Sequence, residues 1–172
     1  MNATPLIARL LAALEARHLE AVLIGNAAAA IHGAPVTTLD FDFMFRETPT
    51  NMRKLKRVAA DLRATILLPY YPVSRLYRMA HDASGLQADC MPVIHGVRSF
   101  EGLKARAVSC DVGGCAVLVA SLDDIIASKR AAGRDQDKAV LPVLEELRQA
   151  IATPVAKPVS KKASKPRPRK GR

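Results

Sequence analysis

Residues 37–45 run TTLDFDFMF, with two aspartates set two apart among leucine and phenylalanine. Side chains alternate between the faces of a strand, so residues two apart share a face. A strand over this segment therefore puts Asp40 and Asp42 on one side and the apolar residues Leu39, Phe41 and Phe43 on the other. Two carboxylates held side by side raise each other's pKa, and a bound cation is the usual remedy. The pattern calls for a strand whose apolar side faces the core and whose two carboxylates project together from the other side.

Other segments supply the remaining elements. Thr4 and Pro5 suit an N-cap and first helical position, and Leu6, Leu10, Leu11 and Leu14 recur at helical spacing. Arg9, Glu15 and Arg17 interrupt the apolar run, so an amphipathic helix is expected here rather than a signal peptide. Residues 21–24 form a short apolar strand leading to a Gly25-Asn26 turn, and AAAAIH is a short helix closing at Gly33. Thr50 is expected to cap a helix with Met52, Leu55, Val58, Ala59 and Leu62 on its apolar stripe. Arg53, Lys54, Lys56 and Arg57 would form its solvated face or contact substrate. Pro69 and Pro72 interrupt regular structure.

Residues 75–81 and 86–91 suggest two strands of a hairpin joined through Asp82 to Gly85, with Asp89 inside the second. A short helix is expected between Gly96 and Ala107, then a strand over residues 116–119. Ser121 and Asp124 form a capping-box-like start to a helix that ends at Gly133. A last helix should span about residues 135–150 with Val140, Leu144 and Leu147 inward, Pro142 kinking it or delaying its start.

Length limits how these parts combine. A chain of 172 residues accommodates one domain, placed at residues 1–150. Residues 151–172 are rich in proline, lysine and arginine, lack apolar periodicity, and are expected to form a disordered tail. The eight basic residues in 153–172 face no acid there and leave the rest of the chain at +2 of the total +10. Attraction for nucleic acid is thus expected of the tail rather than the domain. With aromatics at 4%, the core should rest on Leu, Val, Ile and Ala. Cys90, Cys110 and Cys115 form no CxxC pair and cannot all pair with one another, which favours a reducing, cytoplasmic setting. No stretch is long and uncharged enough to span a membrane.

The run VLIGNAAAAIHGAPVTTLDFDFMF resembles the opening motif of small nucleotidyltransferases of the polymerase-beta-like superfamily. It is most similar to bacterial forms near the abortive-infection toxin type and to uncharacterised proteins like them. In that family a strand, a glycine turn and a short helix precede a strand bearing Asp-x-Asp. The resemblance matches these to Gly25-Asn26 and to Asp40 and Asp42, and the family's third carboxylate to Asp89 in LQADCMP. It continues in SLDDIIASKRAAGRDQDKAV, where Lys129, Arg134 and Asp137 match a C-terminal block; Val140 stands where the family often has a further aspartate.

The resemblance implies an α/β (α+β) nucleotidyltransferase fold, a small mixed sheet carrying the carboxylates with helices packed around it. It implies transfer of a nucleoside monophosphate from a nucleoside triphosphate such as ATP to RNA, protein or a small molecule. Asp40, Asp42 and Asp89 would hold two Mg²⁺ ions, Asp89 on the acceptor side and available as general base. Gly25 and Asn26 would face the triphosphate. Lys129, Arg134 and Asp137 would contact phosphate or acceptor, or else tie the last helices to the core by ion pairs. Arg46 would reach substrate phosphate or end the strand in solvent. His32 and His95 are expected to be packed and turn residues, and Cys90 a small buried hydrophobe. An antitoxin partner follows from the toxin branch alone. The competing readings are a silent binding protein of the same fold, favoured by Asn26 and Val140, and a nucleic-acid binder acting through its tail.

Overall fold

The computed structural model describes residues 3–38 and 40–152; Leu39 and the basic tail from residue 153 lie outside the described residues. The elements run α1 (Ala3–Ala16), β1 (Ala21–Ile24), α2 (Gly25–Ile31), β2 (Phe41–Phe45), α3 (Pro49–Asp61), β3 (Thr65–Leu67) and β4 (Tyr77–His81). They continue as β5 (Leu86–Met91), α4 (Phe100–Arg106), β6 (Val108–Val112), β7 (Cys115–Val119), α5 (Leu122–Ala132) and α6 (Asp135–Ala152). A single turn of 3-10 helix at Asp82–Ser84, closed by Gly85 at φ +69°, joins β4 to β5.

All seven strands form one mixed sheet in the order β3-β4-β5-β2-β1-β7-β6. The β2–β5 and β1–β7 pairs are parallel and the other four antiparallel. Helix α1 packs on β7 and α3, α2 on β1, β2 and α5, and α5 on α6. Leu10, Leu23, Phe43, Phe45, Leu55, Leu103 and Leu144 are fully buried between sheet and helices. Each such side chain contributes roughly 1.5–3 kcal/mol. Aromatics matter more than their scarcity suggests, since Phe43, Phe45 and Phe100 are all buried and Phe45 meets Tyr77 edge-on at 5.6 Å between ring centres.

Several boundaries differ from the sequence expectation. Thr4 lies inside α1, which begins at Ala3. Helix α3 is capped by Thr48, whose hydroxyl accepts from the Asn51 backbone N–H, with Pro49 in the first turn. Thr50 is one of its first-turn residues instead. Strand β2 begins at Phe41, so Asp40 stands in the bend before it. Strands β3 and β6, both mostly exposed, have no counterpart in the sequence expectation. Helix α6 starts at Asp135 and runs through Pro142, so the proline does not delay it.

Candidate active site

Strand register builds the site. Ile24 of β1 pairs with Asp42 of β2, Asp42 with Asp89 of β5, and Asp89 with Arg78 of β4, a single row across four strands. Directly paired residues point to the same face, so Asp42, Asp89 and Arg78 emerge side by side. Asp40, one residue outside β2, joins them from the bend. One carboxylate oxygen from each of Asp40, Asp42 and Asp89 lies within 4.8 Å of the others. Phe43 and Cys90, one residue further along, pair on the opposite, buried side. Burial there pushes the Cys90 thiol far up, with the charges of Asp89 and Asp42 adding to the effect, which keeps it in the protonated form of a small buried hydrophobe.

The three carboxylates have unequal surroundings. Asp89, 7% exposed, receives a two-pronged ion pair from Arg78, with Nε to Oδ1 at 2.8 Å and Nη2 to Oδ2 at 2.7 Å. Asp40 has neutral partners: the Thr38 hydroxyl 3.3 Å from Oδ1 and the Gln87 amide 3.4 Å from Oδ2. Among the described residues the Asp42 carboxylate has neither a hydrogen bond nor an ion pair. Burial, then the charges of Asp40 and Asp89, push Asp42 up to about 6, only partly offset by Arg134 and Lys129. The cluster is short of positive charge, and its donors are all hard carboxylate oxygens. That combination fits an oxygen-ligated divalent cation such as Mg²⁺.

Gly25 closes the site from the β1 side. Its φ is +68°, and a Cβ there would lie 2.6 Å from Asp42 Oδ2, so only glycine lets the turn approach the carboxylate. Asn26 follows with its amide nitrogen donating to the Thr37 carbonyl at 3.2 Å, while its buried Oδ1 has no partner. Asn26 therefore has an acceptor oxygen without a partner and, with one of its two amide hydrogens used on Thr37, a second hydrogen still to donate.

Lys129, Arg134 and Asp137 come together as the C-terminal block. Asp137, 1% exposed, accepts from Lys129 at 3.1 Å and from Arg134 at 2.6 Å. Burial works against its ionisation, but the hydrogen bonds from Arg134 and Lys129 outweigh it and hold the carboxyl below the usual range. This is the ion-pair alternative, yet all three residues also line the same cleft as the triad, with Arg134 66% exposed. Val140 lines it too.

Arg46 does not join them. It follows β2 at the end away from Asp40, about 13 Å beyond Asp42 at strand spacing. There it pairs with Glu20 at 3.0 Å and Glu101 at 2.6 Å and lies over the Phe100 ring. Its guanidinium is thus held by Glu20 and Glu101, where the sequence expectation has it either reaching substrate phosphate or ending the strand in solvent. His32 is a packed residue, its Nε2 2.8 Å from the Ala120 carbonyl, and His95 sits in an exposed turn on the cleft rim. Arg78, Thr38 and Gln87 are site residues that the sequence reading does not single out. The hairpin from Asp82 to Gly85 carries the signal for Arg78, since counting outward from it pairs Arg78 with Asp89.

The cleft has a volume of about 870 Å³, within the range of small-molecule sites. A mixed sheet with an aspartate triad at the mouth of a glycine turn agrees with the nucleotidyltransferase fold that the sequence resemblance implies, and solved structures of that fold are similar to it. By sequence, no protein-family model and no curated protein matches the chain. By structure, it is similar to TM1012 of Thermotoga maritima, designated a nucleotidyltransferase, at TM-score 0.60 and 19% identity over 86% of this chain and 91% of that one. It is also similar to the antibiotic-resistance factor ANT(2'')-Ia in solution, at TM-score 0.59 and 15% identity over 87% and 91%. The same factor crystallised with adenylyl-2''-tobramycin gives TM-score 0.58 and 17% identity over 88% and 98%. At these identities the likeness is one of fold.

Proposed function

We propose that the chain is a metal-dependent nucleotidyltransferase that moves a nucleoside monophosphate from a nucleoside triphosphate to an acceptor hydroxyl. The observation that carries this is the triad: three carboxylates gathered within 4.8 Å beside a glycine turn, with Asp42 raised by burial and by the charges of Asp40 and Asp89. Asp40, Asp42 and Asp89 would hold two divalent ions, which when bound neutralise charge on the phosphates and activate the attacking hydroxyl. Gly25 keeps the space beside Asp42 free of a side chain, so a triphosphate can approach the backbone there. Arg134, exposed in the cleft, is placed to meet phosphate oxygens; Lys129, held by Asp137, supplies charge from behind. Asn26 Oδ1 calls for a donor, which a ribose hydroxyl or a water would provide.

The adenylylated antibiotic bound to ANT(2'')-Ia supports a small-molecule acceptor beside RNA or protein. Kinship to the toxin branch, an antitoxin partner, and nucleic-acid attraction through residues 153–172 remain parts of this proposal that rest on sequence. Three free cysteines suit a reducing cytoplasm, and no helix among the described residues is long and apolar enough to cross a membrane. One observation favours the second reading, a silent binding protein: both Asp89 oxygens are already held by Arg78.

Incubation with each α-labelled triphosphate, Mg²⁺, cellular RNA, protein and small-molecule extract separates the two readings. Transfer of label that falls at least about 100-fold in the Asp40→Ala, Asp42→Ala double variant is expected, since the loss of ligands themselves exceeds second-shell effects. Mg²⁺-dependent triphosphate binding without any transfer would support the silent protein instead.

A further inference from the structure

The row Asp42–Asp89–Arg78 mixes an unpartnered carboxylate with a fully partnered one. A cation entering the cleft finds Asp42 free and Asp40 held only by neutral groups. At Asp89 it meets a guanidinium that occupies both oxygens. Arginine cannot shed its proton, so its charge opposes any second positive charge brought to the same carboxylate. Arg78 also borders the open cleft and is 27% exposed, so it faces the same space as a ligand bound there.

Resting on the metal-dependent reading above, we propose that Arg78 is a positioning residue that stands in for the second cation on Asp89 and yields that place when a triphosphate binds. The polyphosphate supplies negative charge that both draws the second ion and receives the released guanidinium. Metal loading at Asp89 is thereby made conditional on nucleotide, while the Asp40 and Asp42 side loads without it. No bond to carbon or phosphorus changes in this step; one ion pair is exchanged for another.

Titration with Mn²⁺ alone, followed by calorimetry and by the spin-resonance signal of free Mn²⁺, tests this without any turnover. The wild-type chain should bind one Mn²⁺ without nucleotide and two with a non-hydrolysable triphosphate analogue. Arg78→Gln should bind Mn²⁺ roughly tenfold more tightly without nucleotide, a coupling of ordinary size, and take up the second ion unaided. Arg78→Lys retains the charge and protects the fold while losing the two-pronged grip, and should show a gain of a few-fold. A merely structural Arg78 would lower stability in both variants and leave Mn²⁺ affinity unchanged or weaker, which overturns the proposal. Wild-type protein that binds no Mn²⁺ under any condition removes the metal reading itself. Binding that the Asp40→Ala, Asp42→Ala variant abolishes, with the Arg78 variants unchanged, removes only the inference.

Discussion

At the C-terminal end of β2, Arg46 lies between Glu20 and Glu101 and over Phe100, and Lys104 adds a second contact to Glu20 at 3.2 Å. At the N-terminal end of the same strand, Asp40 and Asp42 face a cleft, and among the described residues no cation touches either carboxylate. Both ends are charged and both are partly buried. One is balanced by its own neighbours and fastens β2 to α4; the other keeps an imbalance that burial makes costly and that a cation or a proton would relieve. An unmatched buried charge is the better sign of function, because structural pairs have every reason to be complete.

The same contrast divides the cleft itself, and variants can break it. Asp137 is the balanced carboxylate there, and Asp137→Ala strands Lys129 beneath the surface. Losing one partner of a buried pair costs about 3–5 kcal/mol, which urea denaturation would register. Replacing Lys129 by Met together with Asp137 by Leu should recover most of that stability, while transfer activity stays low if Lys129 supplies charge to the site. At the far end of β2 the expected effect is smaller. Arg46→Ala removes a half-exposed ion-pair network and a cation–π contact and should cost about 1 kcal/mol. Mn²⁺ binding and transfer should be untouched; a loss of metal affinity in Arg46→Ala would erase the distinction between the two ends.

How far the site can be read from sequence depends on the same physics. Asp40 and Asp42 stand out because an acidic pair inside an apolar run is conspicuous in any register. Gly25 stands out because the strand before it and the alanine helix after it leave a turn nowhere else to go. Arg78 is hidden for the opposite reason: an arginine in a strand is ordinary until the pairing of β4 with β5 sets it against Asp89. Arg46 misleads because adjacency along the chain suggests proximity, whereas a strand carries its two ends apart. Strands β3 and β6 escape sequence reading because their exposed faces, with burial limited to Ile66 in one and Cys110 and Val112 in the other, give no sustained alternation. At the start of α3, Thr50 is the plausible cap by residue type, although Pro49 after Thr48 is the stronger start signal.

Whether the Asp42 end is unbalanced because it holds a metal is tested most directly by unfolding wild-type protein and Asp42→Asn side by side. Asp42 is raised from 3.8 to about 6 in the folded chain, so its ionised form is penalised by folding. That cost is present in full above pH 6 and disappears as pH falls toward 4, which means the metal-free wild type gains stability on acidification across this window. A shift of this size corresponds to about 3 kcal/mol at neutral pH. In EDTA at about pH 7.5, Asp42→Asn should therefore be more stable than wild type by about 2–3 kcal/mol, and the difference should shrink at about pH 5. Adding Mg²⁺ should stabilise the wild type and leave Asp42→Asn nearly unmoved. If Asp42→Asn is instead the less stable protein in EDTA, and Mg²⁺ moves neither, the carboxylates are structural and the cleft is not a metal site.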